Sequence, residues 1–159
     1  MNRKHKRSKR RKEIIRVWTY PQAQKALPYI TSVMRSLREH WLDAQRQDAR
    51  ARKLAGQPGR PDRQAILARE TATEEGNRAK ERFNEAYQEL QTIEVYCLDP
   101  NQGVGVIPFV HDEKLAWLIY DLFAREPLQH WRYHDDPLEQ RRPIAEALEE
   151  GPGTKSLAV

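Results

Sequence analysis

The sequence predicts an α+β fold: a long antiparallel helical hairpin packed on a small antiparallel β-meander, preceded by a disordered basic N-terminal tail. Three observations lead there. Apolar residues recur every three or four positions from Ala23 to Ile93, interrupted once by "AGQPGRPD" at residues 55–62. After Ile93 the period falls to about two, in short runs separated by turn residues. Residues 1–12, "MNRKHKRSKRRK", hold eight cations and no acid, so they repel one another and offer almost nothing to bury. The expected organisation is a tail over 1–12, one α+β domain over 13–150 and a flexible end over 151–159. Within the domain the hairpin covers about 19–93, the meander about 93–136 and a short helix about 142–150.

The first helix has a start signal. Thr19 is a good N-cap, Gln22 three residues on completes a capping box, and Pro21 sits in the first turn, where a missing N–H costs nothing. Ala23, Ala26, Leu27, Ile30, Val33, Met34, Leu37, Trp41 and Ala44 then line one face to about Leu54. Pro28 is expected to kink or restart the helix. Asp62 caps the second helix, whose face is Ala65, Ala68, Ala72, Gly76, Ala79, Phe83, Ala86, Tyr87, Leu90 and Ile93. Two such helices joined by a short break make a coiled-coil-like antiparallel hairpin. At 1.5 Å per residue each is roughly 45–50 Å long. A small domain cannot cover that length, so the far end projects into solvent or meets another chain.

"IEVYCL" alternates, "DPNQG" turns, and "VGVIPFV" is extended with Pro108 arguing for an edge or a bulge. "LAWLIYDLF" is apolar on both faces and reads as a central strand. "LQHWRYH" is the last of four strands. "RPIAEALEEG" reads as a short helix with Pro143 in its first turn and Gly151 as its C-cap.

Composition narrows the function classes. The chain has 159 residues, 32% of them charged and 38% hydrophobic, with a mean hydropathy of −0.91. That is polar for a globule of this length and suits long exposed helices. The lone Cys97 rules out an internal disulfide, no apolar run is long enough to cross a bilayer, and no apolar stretch follows the basic start, so a cytoplasmic protein without membrane contact is expected. The net charge of +5 is unevenly placed. Arg3, Lys4, Lys6, Arg7, Lys9, Arg10, Arg11 and Lys12 contribute +8, which leaves −3 for the rest. Within that remainder Arg46, Arg50, Arg52, Lys53, Arg60, Arg63 and Arg69 stand against Asp48 and Asp62, a local +5 at the hairpin tip, with −8 elsewhere. A positive arm and a positive tip attract phosphate backbones without regard to sequence. Neither region holds an aromatic residue, so neither forms a stacking platform. A solvated tail that aids solubility is the plain alternative.

The order "WTYPQAQKALPYI" resembles the F-T-x-x-x-A-x-x-x-L-P-x-I opening of a bacterial family called domain of unknown function 2203. "VYCLDPNQGVGVIP" is similar to that family's V-K-D-L-D-x-G-L-V-D-F-P type of segment, and an apolar strand and a Trp-containing strand followed by Asp and Arg come after it. The resemblance covers roughly residues 17–144. Asp99, Gly103, Pro108, Trp131, Asp135 and Arg141 fit the pattern. Val106 stands where the family has an acid before F-P, Arg132–Tyr133 where it has His-Glu, and Cys97 where an acid is common. If those polar positions form a site in relatives, this chain has lost much of it. The resemblance implies a helical hairpin followed by a small sheet. It implies no activity and no cofactor.

The stretch that looks most like chemistry is "HWRYHDDP", residues 130–137. On a strand, His130, Arg132 and His134 share one face, and Trp131, Tyr133 and Asp135 the other. A permanent cation between two histidines is a poor shell for a divalent metal, so His130, His134 and Asp135 are weak metal candidates. The plain reading has Trp131 and Tyr133 packed on the hairpin, the His/Arg face solvated, and Asp135–Asp136 before Pro137 making a turn. His111, Asp112 and Glu113 in "HDEK" read as a polar hairpin tip. Cys97 in an alternating strand reads as a buried, inert thiol. No nucleophile elbow, phosphate loop, C-x-x-C pair or G-x-G-x-x-G is present. The leading expectation is therefore a non-catalytic interaction protein whose hairpin, with its basic tip, contacts a protein partner or a second copy, as in a homodimer. Sequence-independent nucleic-acid binding, most plausibly of RNA, through tail and tip comes second. A small hydrolytic or metal-dependent enzyme comes third.

Overall fold

The computed structural model describes residues 15–149. The expected basic tail, the flexible end and the Gly151 cap lie outside them. Two long helices, α1 (Tyr20–Ala55) and α2 (Arg63–Thr92), precede five strands and a short helix. The strands are β1 (Tyr96–Asp99), β2 (Val104–His111), β3 (Lys114–Asp121), β4 (His130–Tyr133) and β5 (Arg142–Pro143), and α3 is Ile144–Glu149.

The start of α1 forms as its residues dictate. Thr19 Oγ1 accepts from Gln22 N–H at 3.3 Å, and Gln22 Oε1 accepts from Thr19 N–H at 3.0 Å, so two donors that the helix leaves free are satisfied. Pro28 does not restart the helix: α1 continues through it as one element of 36 residues, about 54 Å long. Ala23 and Ile30, on either side of Pro28, are fully buried. Tertiary packing holds both segments on one face and offsets the backbone bond that proline removes. Asp62 Oδ1 accepts from Ala65 N–H at 2.8 Å and starts α2.

The apolar seam of the hairpin serves two purposes along its length. Ala23, Ile30, Val33, Met34, Leu37, Ala86 and Leu90 belong to the main core with the sheet. Beyond Leu37, the buried Ala44, Ala72, Gly76 and Ala79 lie outside that core. A Cβ on Gly76 would lie 3.3–3.4 Å from Asp48 and Gln47 of α1, so the small residues let the two helices approach closely. Lys80 reaches across to Asp48 at 3.0 Å, an exposed pair worth at most about 1 kcal/mol.

The sheet is an antiparallel meander in sequence order, with β3 at its centre as its apolar composition predicts. Pro108 lies on the half of β2 that extends past β1. There Trp18 N–H donates to Pro108 C=O at 2.8 Å. Because a strand residue's N–H and C=O point to the same side, the missing N–H of Pro108 falls on that edge and not in the β2–β3 ladder. Trp18 also donates its indole N–H to Ile93 C=O at 2.9 Å, tying the chain entry to the end of α2.

Where four strands and a helix from 142 were expected, Arg142 and Pro143 instead form a fifth, edge strand opposite Trp131 and His130, and the helix begins at Ile144. Trp131 Nε1–H donates to Pro143 C=O at 3.1 Å, and Ile144 N–H to Gln129 C=O at 2.8 Å. Those long-range bonds are stronger constraints than the helix-start propensity of proline.

The turns on either side of β2 require unusual backbone. Gly103 has φ +65°, and a Cβ there would come within 2.6 Å of the Leu122 side chain. Asp112 and Glu113, between β2 and β3, have φ 49° and 60°, the positive values of a two-residue hairpin that favours Asn-Gly. Glu113→Gly should therefore raise unfolding stability by about 1 kcal/mol, while Gly103→Ala should lower it by roughly 2 kcal/mol or more. Urea unfolding followed by far-UV dichroism measures both, and an unchanged midpoint for Gly103→Ala would contradict the crowded turn.

Candidate functional site

β4 carries the polar cluster to one end of the sheet, and the structure divides its residues by face. Trp131 and Tyr133 point to the hairpin side with Phe109 and His111 of β2. Phe109 and Trp131 meet edge to face at 5.7 Å, Trp131 and Tyr133 at 4.8 Å, and the His111 ring lies 4.5 Å from Trp131. His111 Nδ1 and the Tyr133 hydroxyl share a hydrogen bond of 2.8 Å. His111 was expected on an exposed hairpin tip, but it is buried, at 6% exposure. The turn proper is only Asp112 and Glu113, so His111 is the last inward-facing residue of β2 and follows Phe109 on the same face.

Asp136, not Asp135, holds this end together. Arg142 of β5 donates to both Asp136 carboxylate oxygens, at 2.8 and 2.9 Å, and Tyr133 N–H donates to Oδ2 at 2.9 Å. The Arg142 hydrogen bonds, together with the Tyr133 amide, hold the Asp136 carboxyl down at about 2, well below the usual carboxylate value. The Arg142 guanidinium lies over the rings of Tyr133 and Trp131, at 4.9 and 5.6 Å. With three donors on one carboxylate and a pKa far below neutrality, Asp136 is a fixed anion and a poor proton acceptor.

The other face is only partly solvated. His134 is exposed and His130 half-buried, but Arg132 is 9% exposed, against the expected solvated His/Arg face. Its stem lies in the sheet opposite Trp117, and Nη1 donates to the carbonyls of Tyr133 and Asp136 at 3.4 Å each. His134 Nδ1 accepts from the Trp117 indole at 3.1 Å. Asp135 is exposed and makes no bond with His130 or His134 among the described residues. Among the described residues no three His, Cys, Asp or Glu side chains gather as metal ligands. Cys97 is half-buried, and burial, then the charge of Asp99, push its thiol up to about 11. At neutral pH it is a neutral thiol and a weak nucleophile.

The remaining positions of the sequence pattern have structural work. Asp99 Oδ1 accepts from the N–H groups of Asn101 and Gln102 at 3.0 and 3.1 Å, shaping the β1–β2 turn that Gly103 completes. Pro108 marks the edge and Trp131 fills the core. Arg141 is exposed, 4.0 Å from Asp121; the strong carboxylate pair falls one residue later, at Arg142. Arg46, Arg50, Arg52, Lys53, Arg60, Arg63 and Arg69 are exposed on the distal hairpin. Arg46 reaches Asp43 at 3.7 Å, and the other six have no ion pair among the described residues. Between the hairpin loop and the start of α2 lies an open groove of about 620 Å³, lined by Leu54, Gln57, Arg60, Ile66, Arg69 and Thr73 among others. Ile66 and Leu67 beside it are 46% and 50% exposed. Arg3, Lys4, Lys6, Arg7, Lys9, Arg10, Arg11 and Lys12 lie outside the described residues. No helix among the described residues is long and apolar enough to cross a membrane.

The family model described as an uncharacterized conserved protein (DUF2203) matches residues 16–144, which span everything from the Trp18 anchor to β5. No curated protein and no solved structure matches the chain.

The folded value of the Asp136 carboxyl lies below the value of about 3.9 it has in an unfolded chain. Its contribution to stability is therefore complete above about pH 4 and lost as pH falls toward 2. Asp136→Asn should be less stable than the parent at pH 7 and should lack the part of the acid transition that lies between about pH 4 and 2. Thermal melts across that range test this, and parallel pH profiles for the two proteins would remove the clamp from the account.

Proposed function

We propose, for a chain that belongs to the DUF2203 family of uncharacterised conserved proteins, a docking role without catalysis: the sheet and the near half of the hairpin form a body, and the distal hairpin carries a partner-binding tip. One observation carries this reading. The hairpin continues past the main core on a seam of alanines and one glycine, and at its end it exposes Ile66 and Leu67 beside six unpaired cations. Arg52 donates to Asp48 C=O at 3.4 Å within α1, while the side chains of the other five cations make no hydrogen bond or ion pair among the described residues, and exposed apolar residues rimmed by charge are characteristic of protein contacts. In the β4 region Arg132, Tyr133, His134 and Asp136 support the same reading from the other side, because each is hydrogen-bonded within the fold. The tip suits a partner with an acidic rim around an apolar patch.

A second reading is sequence-independent nucleic-acid binding, favoured by the same cations and by the eight in residues 1–12.

A photo-reactive residue at position 66 of the full chain, irradiated in cells, is expected to join a protein in high yield. Arg60→Glu/Arg63→Glu should reduce that adduct at least tenfold with an unchanged thermal midpoint, since exposed charge changes cost within about 0.5 kcal/mol. An adduct that persists in the double variant would remove the tip from the account. An adduct to RNA would favour the second reading.

A further inference from the structure

The outward side of α2 carries its own complement. Arg63, Leu67, Glu70 and Glu74 follow one another at spacings of four, three and four, so they form one stripe along the helix, and Ile66 stands beside Leu67. All five are exposed. Arg60, just before the helix, extends the stripe at its basic end and is exposed too. The stripe therefore runs from cation through aliphatic to acid. The groove beside it has the same polarity, with Arg60 toward the loop, Ile66 in the middle and Glu70 and Glu74 farther down α2. Among the described residues Arg60, Arg63, Glu70 and Glu74 make no ion pair. Glu70 and Glu74, one turn apart with like charge, mildly destabilise the helix by themselves.

A segment that is basic at one end, apolar in the middle and acidic at the other is complementary to itself run in the opposite direction. That is the relation a two-fold axis imposes. With the axis at the level of Ile66 and Leu67, Arg63 of one copy falls opposite the partner's Glu70, and Arg60 opposite the partner's Glu74. Arg69 falls opposite the partner's Gln64 and Asp62 opposite the partner's Thr71, so no like charges meet.

The other cations of the tip do not oppose this pairing. Ala72, Gly76 and Ala79 are buried toward α1, half a turn round the helix from the stripe, so a second α2 packs on the side away from α1. Arg50, Arg52 and Lys53 of α1 then stand two helix spacings, about 18 Å, from that second α2. This is beyond the roughly 8 Å reach of exposed charges in physiological salt. Overlap from residue 60 to 74 takes about 20 Å and ends before Phe83, where α2 joins the main core, so the two bodies stay clear of each other.

We propose that the partner of the tip is a second copy of this chain, bound antiparallel through the stripe of Arg63, Leu67, Glu70 and Glu74. The proposal rests on the docking role above and names its partner.

Sedimentation velocity of the full-length protein over a concentration series tests it. The variants are Arg60→Glu/Arg63→Glu and Glu70→Arg/Glu74→Arg, all at exposed positions where the thermal midpoint should not move. The parent is expected to form a dimer. Each variant alone, its stripe then of one sign, should dimerise at least tenfold more weakly. An equimolar mixture of the two should recover the dimer, because an all-acidic stripe then meets an all-basic one. A parent that stays monomeric throughout the series overturns the second copy. So does a dimer that survives in both variants, or a pair of variants that do not rescue each other. If the second copy is overturned, a position-66 adduct to a different protein keeps the docking role, and no adduct to any protein removes that role as well.

Discussion

The height of the hairpin on the sheet is set where Met34 of α1 passes over Gly105 of β2. A side chain at position 105 would come within 2.9 Å of the Met34 methyl and 3.0 Å of the Tyr96 carbonyl. With glycine there, α1 lies close enough for Ile30, Val33, Met34 and Leu37 to enclose Ile107, Leu118 and Tyr120 in one core. Two polar contacts follow from that approach and fix its direction. Tyr120 OH donates to Thr31 Oγ1 at 2.8 Å, and Arg38 Nε donates to Asn101 C=O at 2.8 Å while its guanidinium lies 4.9 Å from the Phe123 ring. α1 is thereby anchored at the sheet's turns just before it leaves the body, so the hairpin beyond Arg38 continues outward on its own seam.

The sheet end that looked chemical is better understood as a closure. A five-strand meander has an exposed last edge, and β5 contributes only two residues to it. The Asp136–Arg142 pair, the Trp131 bond to Pro143 and the stacking of Arg142 on two rings hold that short strand in place. A buried aromatic group with His111 in it could suggest a site, but His111 Nδ1 is hydrogen-bonded to the Tyr133 hydroxyl and the Trp131 indole to Pro143 C=O. Depressing the Asp136 pKa favours a permanent ion pair over proton transfer.

Two surfaces remain after the architecture has used its share of polar and apolar groups. One is the distal hairpin, where charge and exposed aliphatic side chains coincide. The other is the far face of the sheet, where the rings of Tyr96, Trp117 and His134 meet across three strands. They lie on different elements, since α1 and α2 cover the opposite face of the sheet.

The sequence alone determined what depends on neighbours a few residues apart. The Thr19–Gln22 capping box, Asp62, the 3.6-residue seam from Ala23 to Ile93, the break at 55–62 and the central place of β3 were all legible, because each is a local signal of period, cap or turn. The tertiary structure decided what depends on which strand edge meets which. Pro28 was carried through α1 because core contacts on both sides outweigh one lost hydrogen bond. His111 was buried because the turn is two residues long and β2 therefore extends to it. Asp136 and Arg142, one residue beyond the pattern positions Asp135 and Arg141, became the ion pair because strand register, not residue type, sets which side chains converge. The grouping of Tyr96, Trp117 and His134 was invisible for the same reason: its members come from three separate segments, and only the register of β1, β3 and β4 places them on one face.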